Sequence, residues 1–271
     1  MVLFSFQGLY CTPTILEGLK MGTANFSTKT LIVGSLVTIL VFLSGPFGYK
    51  FLGVGLQSSL IAVLVAVFGG VMLAIFAGFF VFKSIRNSAV SDRNLCLISL
   101  IIGLLPLIIM APQIVAAVSV PPIHDISTDT QNPPSFVGTK LSRIGAQNGL
   151  EYGDAVWPAE RLAAATLSAY PELRPINSSL ERSEALKKSR EVLQSMGLEI
   201  ISVDFEEGRL EAVATSFWFG FKDDIVIRVQ EARNRDGVRI DIRSKSRVGQ
   251  SDLGVNAKRV LAFTKNFTSE N

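Results

Sequence analysis

Three long runs without a charged side chain fill most of residues 31–120: Leu31–Phe47, Ser59–Phe82 and Leu95–Val120. A backbone inside a bilayer has no water to bond with, so such runs are restricted there to helices that satisfy their own amides and carbonyls. About 20 helical residues cross a hydrocarbon core of roughly 30 Å. Ser59–Phe82 clears that length without interruption. Leu31–Phe47 is the shortest run, broken by Gly34, and is expected to stop at Gly45-Pro46. The third run contains Pro106 and Pro112, which are expected to bend it. One such run could be a buried core helix, but three in succession read as a membrane region over residues 30–120. A cleaved signal peptide fits the first run poorly, because some 30 residues precede it and no small-x-small cleavage site follows.

Composition agrees with that reading. Mean hydropathy is +0.39 and only 18% of the residues are charged, too apolar for an ordinary soluble chain. Residues 1–120 hold six Lys/Arg and two acidic residues, whereas residues 121–271 hold twenty and twenty-one. The second half is therefore near neutral, which argues against nucleic acid as a partner. Both cysteines, Cys11 and Cys96, precede residue 121, and the single histidine is His124. The second half thus has no disulfide, no thiolate nucleophile and no Cys- or His-rich zinc site. No cofactor is expected.

Orientation follows from the placement of lysine and arginine. The connector Lys83–Asn94 carries Lys83, Arg86 and Arg93, whereas Gly45–Ser58 carries only Lys50, and no basic residue follows the third run until Lys140. The connector is expected in the cytoplasm, together with an N-terminal tail over residues 1–29 that holds Lys20 and Lys29. The C-terminal part then lies outside the cytoplasmic membrane, facing the cell envelope. On the second run Ala62, Ala66, Gly70, Ala74 and Gly78 recur every four residues, a smooth ridge for close helix approach. That ridge suits either the chain's own first or third helix or a homodimer. No run holds a charged residue, so the usual marker of a transport pathway is missing.

Beyond the membrane region, residues 121–136 are polar and proline-rich and are expected to form an extended linker. Residues 137–177 lack a sustained period, apart from a short helix at Ala159–Tyr170 that ends before Pro171. Ser178-Ser179-Leu180-Glu181 has the pattern of a capping box. The helix after it would bury Ala185, Leu186, Val192, Leu193 and Met196 and stop at Gly197. Strands are expected at Leu198–Asp204 and Leu210–Ser216, the second continuing through the alternating Phe217, Phe219 and Phe221. Two more, Ile225–Val229 and Val238–Lys245, flank the hairpin signal Asp236-Gly237. In the last strand Val238, Ile240 and Ile242 face one way and Arg239, Asp241 and Arg243 the other. A final helix is expected at about Asp252–Phe267. The fold class is α+β: a three-helix transmembrane region, then a two-layer domain over residues 137–271 with a mainly four-stranded antiparallel sheet and packed helices.

Several segments resemble a known family. Ile123–Asp129 (IHDISTD), Pro133–Phe136, Tyr170-Pro171, Thr215–Asp224 (TSFWFGFKDD) and Ser246–Asn256 (SRVGQSDLGVN) look like the bacterial and plastid family DUF1499 over roughly residues 120–267. The resemblance implies a domain without an established activity, often membrane-tethered or secreted as a lipoprotein. It supplies no catalytic residue to carry over.

The polar constellation most suited to a ligand is Ser246–Asn256, a turn expected between a strand and a helix. Gly249 would let backbone N–H groups approach an anion at the helix N-terminus. Arg243, Arg247 and Arg259 could bind a carboxylate or phosphate, beside Ser246 and Asn256. The simpler reading is that Ser251 or Asp252 caps the helix. The motif is not a P-loop, because the Gly-Lys-Ser/Thr ending is missing. Asp223 and Asp224 are adjacent on a strand and point to opposite faces, which suits ion pairing better than shared acid–base work. Asp224 with Arg247 is the preferred pair. His124-Asp125 with Ser127 or Ser246 would make a triad only if three side chains converged, and no G-x-S-x-G elbow is present. Phe217, Trp218, Phe219 and Phe221 are expected in the core. The leading functional expectation is a non-enzymatic, membrane-tethered domain that binds an envelope protein, a lipid or an anionic ligand. The rivals are a hydrolase or transferase built on Asp223, Asp224, Arg243 and Arg247, and a structural component of a membrane assembly.

Overall fold

The computed structural model describes residues 24–232 and 236–269. The expected tail, with Cys11 and Lys20, lies largely outside the described residues. The chain forms two compact units that divide after Pro112.

In the first unit lie α1 (Phe26–Leu52), α2 (Leu56–Arg86) and most of α3 (Val90–Ser119). All three are long and apolar enough to cross a membrane. Helix α1 does not end at Gly45-Pro46 but runs on to Leu52. Proline forfeits one helical hydrogen bond, which a helix can absorb when neighbouring contacts hold it. Gly45 acts as a contact point: a Cβ there would sit 2.6 Å from the Ser59 carbonyl oxygen of α2. The middle of the small-residue ridge closes within the chain. Ala66, Gly70 and Ala74 are buried, and a Cβ on Gly103 of α3 would come within 2.8 Å of the Gly70 oxygen. Ala62 and Gly78, at the two ends of the ridge, are half-buried. Ser35 of α1 donates its hydroxyl to the Ser99 carbonyl of α3 at 3.1 Å. Asp92, in the first turn of α3, accepts the Asn25 backbone N–H at 2.9 Å and the Asn25 side-chain amide. The starts of α1 and α3 are therefore tied together.

The second unit is an α+β domain on an antiparallel sheet. Its strands are β1 (Asp125–Ser127), β2 (Ile176–Ser178), β3 (Glu199–Asp204), β4 (Arg209–Thr215), β5 (Lys222–Glu231) and β6 (Val238–Ser246). The order is β1-β6-β5-β4-β3, with β2 also on β6. The four longer strands are those expected. The two added ones share the outer edge of β6, β1 beside Arg243–Lys245 and β2 beside Val238–Ile240. Residues 121–136 are consequently not a free linker, because the sheet begins inside them. Ser178 belongs to β2, so the expected capping box does not form; its hydroxyl accepts the Leu180 N–H at 3.3 Å.

Helices α4 (Ala159–Ala169), α5 (Arg182–Ser195) and α6 (Val255–Ser269) complete the unit. Their apolar stripes meet one face of the sheet. Leu162, Leu186, Leu193, Val260 and Phe263 pack with Leu210, Ile225, Ile227, Ile240 and Ile242 in one core. The aromatic run corrects another expectation, since β4 stops at Thr215. Residues 216–221 form the hairpin turn, with the Ser216 N–H donating to the Phe221 carbonyl at 2.8 Å. Gly220 takes φ 68° there, a left-handed conformation that a side chain would oppose. Alternating phenylalanines imitate strand periodicity, but the glycine between them permits the turn.

Candidate functional site

Strand alternation sorts the polar residues onto two faces. On the helix-covered side β5 presents Asp223, Ile225 and Ile227, and β6 presents Ile240, Ile242, Ser244 and Ser246. On the opposite side β6 presents Arg239, Asp241, Arg243 and Lys245, with Arg247 just past its end; Asp224 and Arg228 of β5 and Glu211 of β4 lie on the same side. An exposed sheet face of that composition would be unremarkable. Here Glu211, Asp224, Asp241, Arg243 and Lys245 are buried. Their cover is the irregular stretch from Asp129 to Glu151.

That cover is held by the charges beneath it. Arg243 grips Asp125 with two bonds of 2.9 Å, and donates to the carbonyls of Pro134 at 3.1 Å and Leu150 at 2.9 Å. The Phe136 and Tyr152 rings flank its guanidinium, with centroids at 5.0 and 5.3 Å. Lys245 lies 3.0 Å from the same Asp125 and donates to the Glu151 carbonyl. The expected pair of Asp224 with Arg247 forms at 2.7 Å, and Arg143 approaches Asp224 from the cover. Arg247 also reaches the Ser142 hydroxyl at 2.9 Å. Glu211 accepts the N–H groups of Val137, Gly138 and Thr139 at 2.7–2.8 Å. Asp241 pairs with Arg228 at 2.8 Å and Arg239 at 3.0 Å.

Burial alone would raise the Asp125 carboxyl, but Arg243 and Lys245 outweigh it and hold the group below its ordinary value. Burial lowers Lys245 and Arg143. Burial, and then the charge of Asp125, pushes the Tyr152 phenol well above its usual range.

The helix side holds a smaller polar set. Asp223 pairs with Arg259 at 2.8 Å. Asn256 joins Ser244 at 2.6 Å, Ser246 at 2.9 Å and the His124 carbonyl at 3.2 Å. Asp252 accepts the N–H groups of Gly254 and Asn256, both at 2.8 Å, so the chain's own carboxylate occupies the anion position at the start of α6. Burial raises this carboxyl. Ser251 accepts the Leu253 N–H at 3.2 Å, and the Gly249 N–H donates to the Gln147 side chain at 3.2 Å.

The expected site residues therefore do not converge. Arg243, Arg247 and Asp224 lie on one side of the sheet, while Asp223, Ser246, Asn256 and Arg259 lie on the other. His124 forms no triad: its ring nitrogens face the Gln250 carbonyl at 3.4 Å and Asp154 at 3.7 Å. The Ser127 hydroxyl donates to the Asp129 carbonyl at 2.9 Å. An indentation lined by Ile123, His124, Asp125, Gly153, Asp154, Trp157 and Leu162 has no interior room for a water molecule. Among the described residues no group of His, Cys, Asp and Glu could hold a metal ion.

A family model described as "Protein of unknown function (DUF1499)" matches residues 125–267, more than half of the chain. The chain belongs to the DUF1499 family. No curated protein and no solved structure matches it. The match begins at Asp125, so the DUF1499 domain starts with the carboxylate that anchors Arg243 and Lys245. Sequence reading missed Asp125, Arg143, Glu211 and Lys245 as parts of this network. One signal could have found part of it. Charged residues occupy every outward position of β6 from Arg239 to Lys245, and Arg247 follows just past its end, more than one strand needs for solubility. Nothing in the sequence period marks Arg143 or the cover, because that segment is irregular.

Proposed function

We propose that this DUF1499 protein is a multi-pass anchor in the cytoplasmic membrane that displays a non-enzymatic binding domain on the extracytoplasmic side. The supporting observation is the closure of the polar constellation. Each arginine offered as a ligand contact already meets a carboxylate, and the groups a hydrolase would need lie on opposite faces of the sheet. A site built for turnover holds its acid, base and electrophile around one accessible point. This domain instead spends its charges fastening its own cover, which suits a rigid display surface for an envelope protein or lipid. The side of the membrane rests on Lys83, Arg86 and Arg93 at one end of the helix hairpin, against Lys50 at the other. The tie between Asn25 and Asp92 brings Lys29 to the basic end.

Two C-terminal fusions test the placement. Alkaline phosphatase, which folds only outside the cytoplasm, is expected to be active there, and a reporter that works only in the cytoplasm is expected to be silent. The reverse pattern overturns the orientation. For the non-enzymatic reading, the purified full chain is assayed against phosphoester, carboxyl ester, glycoside and peptide substrates. Turnover above background that disappears in Asp224→Asn would replace it with the hydrolase reading.

A further inference from the structure

One end of the DUF1499 sheet carries an unusual set of exposed apolar side chains. Phe217 is 82% exposed, Leu141 81% and Ile144 84%, with Trp218 at 46%. Strand register shows that they share an end. The 216–221 turn lies just beyond the pair Thr215–Lys222, and Asp223 pairs with Ser246 at the end of β6. Leu141 and Ile144 flank Arg143 and Ser142, which are bonded to Asp224 and Arg247 at that same end. Phe217 and Trp218 contact each other edge-on, with ring centroids 5.8 Å apart.

The chain also leaves the sheet here. Asp125 opposes Lys245, and the carbonyls of Ile123 and His124 accept N–H groups from Asp252 and Ser246. Residues 113–119, the last turns of α3, belong to this unit, and Val120 lies against the site of a Cβ on Gly254. Only five residues, 120–124, separate the end of α3 from β1. At about 3.3–3.6 Å per residue they reach less than roughly 20 Å, so β1 begins within that reach of the last turn of α3.

Charge fits the same surface. Lys140 and Lys222 are exposed beside the apolar set, while the neighbouring Asp223 and Asp224 are neutralised by Arg259 and by Arg143 and Arg247. Tryptophan beside lysine is the composition that settles at headgroup level.

We propose that this rim, with Phe217, Trp218, Leu141 and Ile144 as its anchors, seats in the headgroup region of the lipid bilayer. The proposal rests on the membrane-anchor reading but is indifferent to which side of the membrane the domain occupies.

The chain has two tryptophans, Trp157 and Trp218, so Trp157→Phe leaves Trp218 as a single reporter. The full chain is reconstituted in vesicles of phosphatidylcholine and phosphatidylglycerol, with and without lipids brominated near the carbonyl end of the acyl chain. Trp218 is expected to lose most of its emission to the brominated lipid. It should also be shielded from aqueous iodide relative to the same protein in detergent. Replacing Phe217, Leu141 and Ile144 together with serine should restore iodide access without changing thermal unfolding. Equal iodide access in vesicles and detergent, with no loss to brominated lipid, overturns the proposal. Shielding from iodide without loss to brominated lipid also overturns it, and assigns the rim to a second copy. If Trp157→Phe fails to fold, 5-fluorotryptophan in the unsubstituted chain replaces it, with Trp218→Phe identifying the resonance that paramagnetic lipid should broaden. Failure of the anchor reading looks different: alkaline carbonate would then release the protein from the membrane.

Discussion

Arg243 meets five residues from distant parts of the chain: Asp125, Pro134, Leu150 and the faces of Phe136 and Tyr152. Asp125, shared by Arg243 and Lys245, is the carboxylate that would leave two buried cations unmatched. Breaking a buried ion pair by removing one partner costs about 3–5 kcal/mol, and Asp125→Ala is expected to fall in that range. Guanidinium unfolding of the detergent-solubilised chain, followed by tryptophan emission, measures it. The same carboxyl sets an acid limit. Its folded value lies below the unfolded one, so its contribution is complete above the ordinary Asp value of about 3.9 and is lost as pH falls through the folded value. The acid midpoint is expected to shift towards neutrality in Lys245→Met, which removes one of the two cations. Tyr152 sets the opposite limit. Its folded value is raised, so its stabilisation holds below about pH 10 and is lost as pH rises. Tyr152→Phe should flatten that alkaline loss.

Among the elements, α2 and α3 come into close backbone contact at Gly70 and Gly103. A methyl group at Gly70 meets backbone that cannot rotate aside, whereas a Cβ on Gly78 would find only Leu100, at an ordinary 3.7 Å. Gly70→Ala is expected to lower the thermal midpoint of the solubilised chain by an overpacking cost of about 1–3 kcal/mol, with Gly78→Ala close to neutral. The regular elements were legible because each carries its own period. The helix faces ending at Gly197 and Phe267 and the alternation of Val238–Arg243 translate directly into buried and unburied sides. Short pieces were not legible. Strands of three residues, such as Asp125–Ser127, have no period to read, and they exist because β6 offers them an edge. The site was half legible. The pairing of Asp224 with Arg247 and the capping by Asp252 follow from local chemistry. Arg143, in the cover, depends on a segment whose path is set by the charges it covers. The turn at 216–221 misled for a different reason, since aromatic alternation and a hairpin turn can share one sequence.

At the scale of the molecule, a hairpin of membrane-compatible helices leads within a few residues into a sheet whose first strand pairs with its last. Alkaline carbonate is expected to leave the full chain in the membrane pellet, as integral proteins with several apolar spans remain. The order of strands also governs when the domain can form. Asp125 meets Arg243, 118 positions later in the chain, so a nascent polypeptide holds its opening strand without a mate until β6 has been synthesised. Contacts this distant in sequence slow folding, because a long loop must close before they reward it. A chain truncated after Glu231 should therefore stay protease-sensitive throughout its second half, lacking both β6 and α6. Whatever machinery inserts the helices must hand over a slack ribbon, and maturation waits for the sixth strand to emerge.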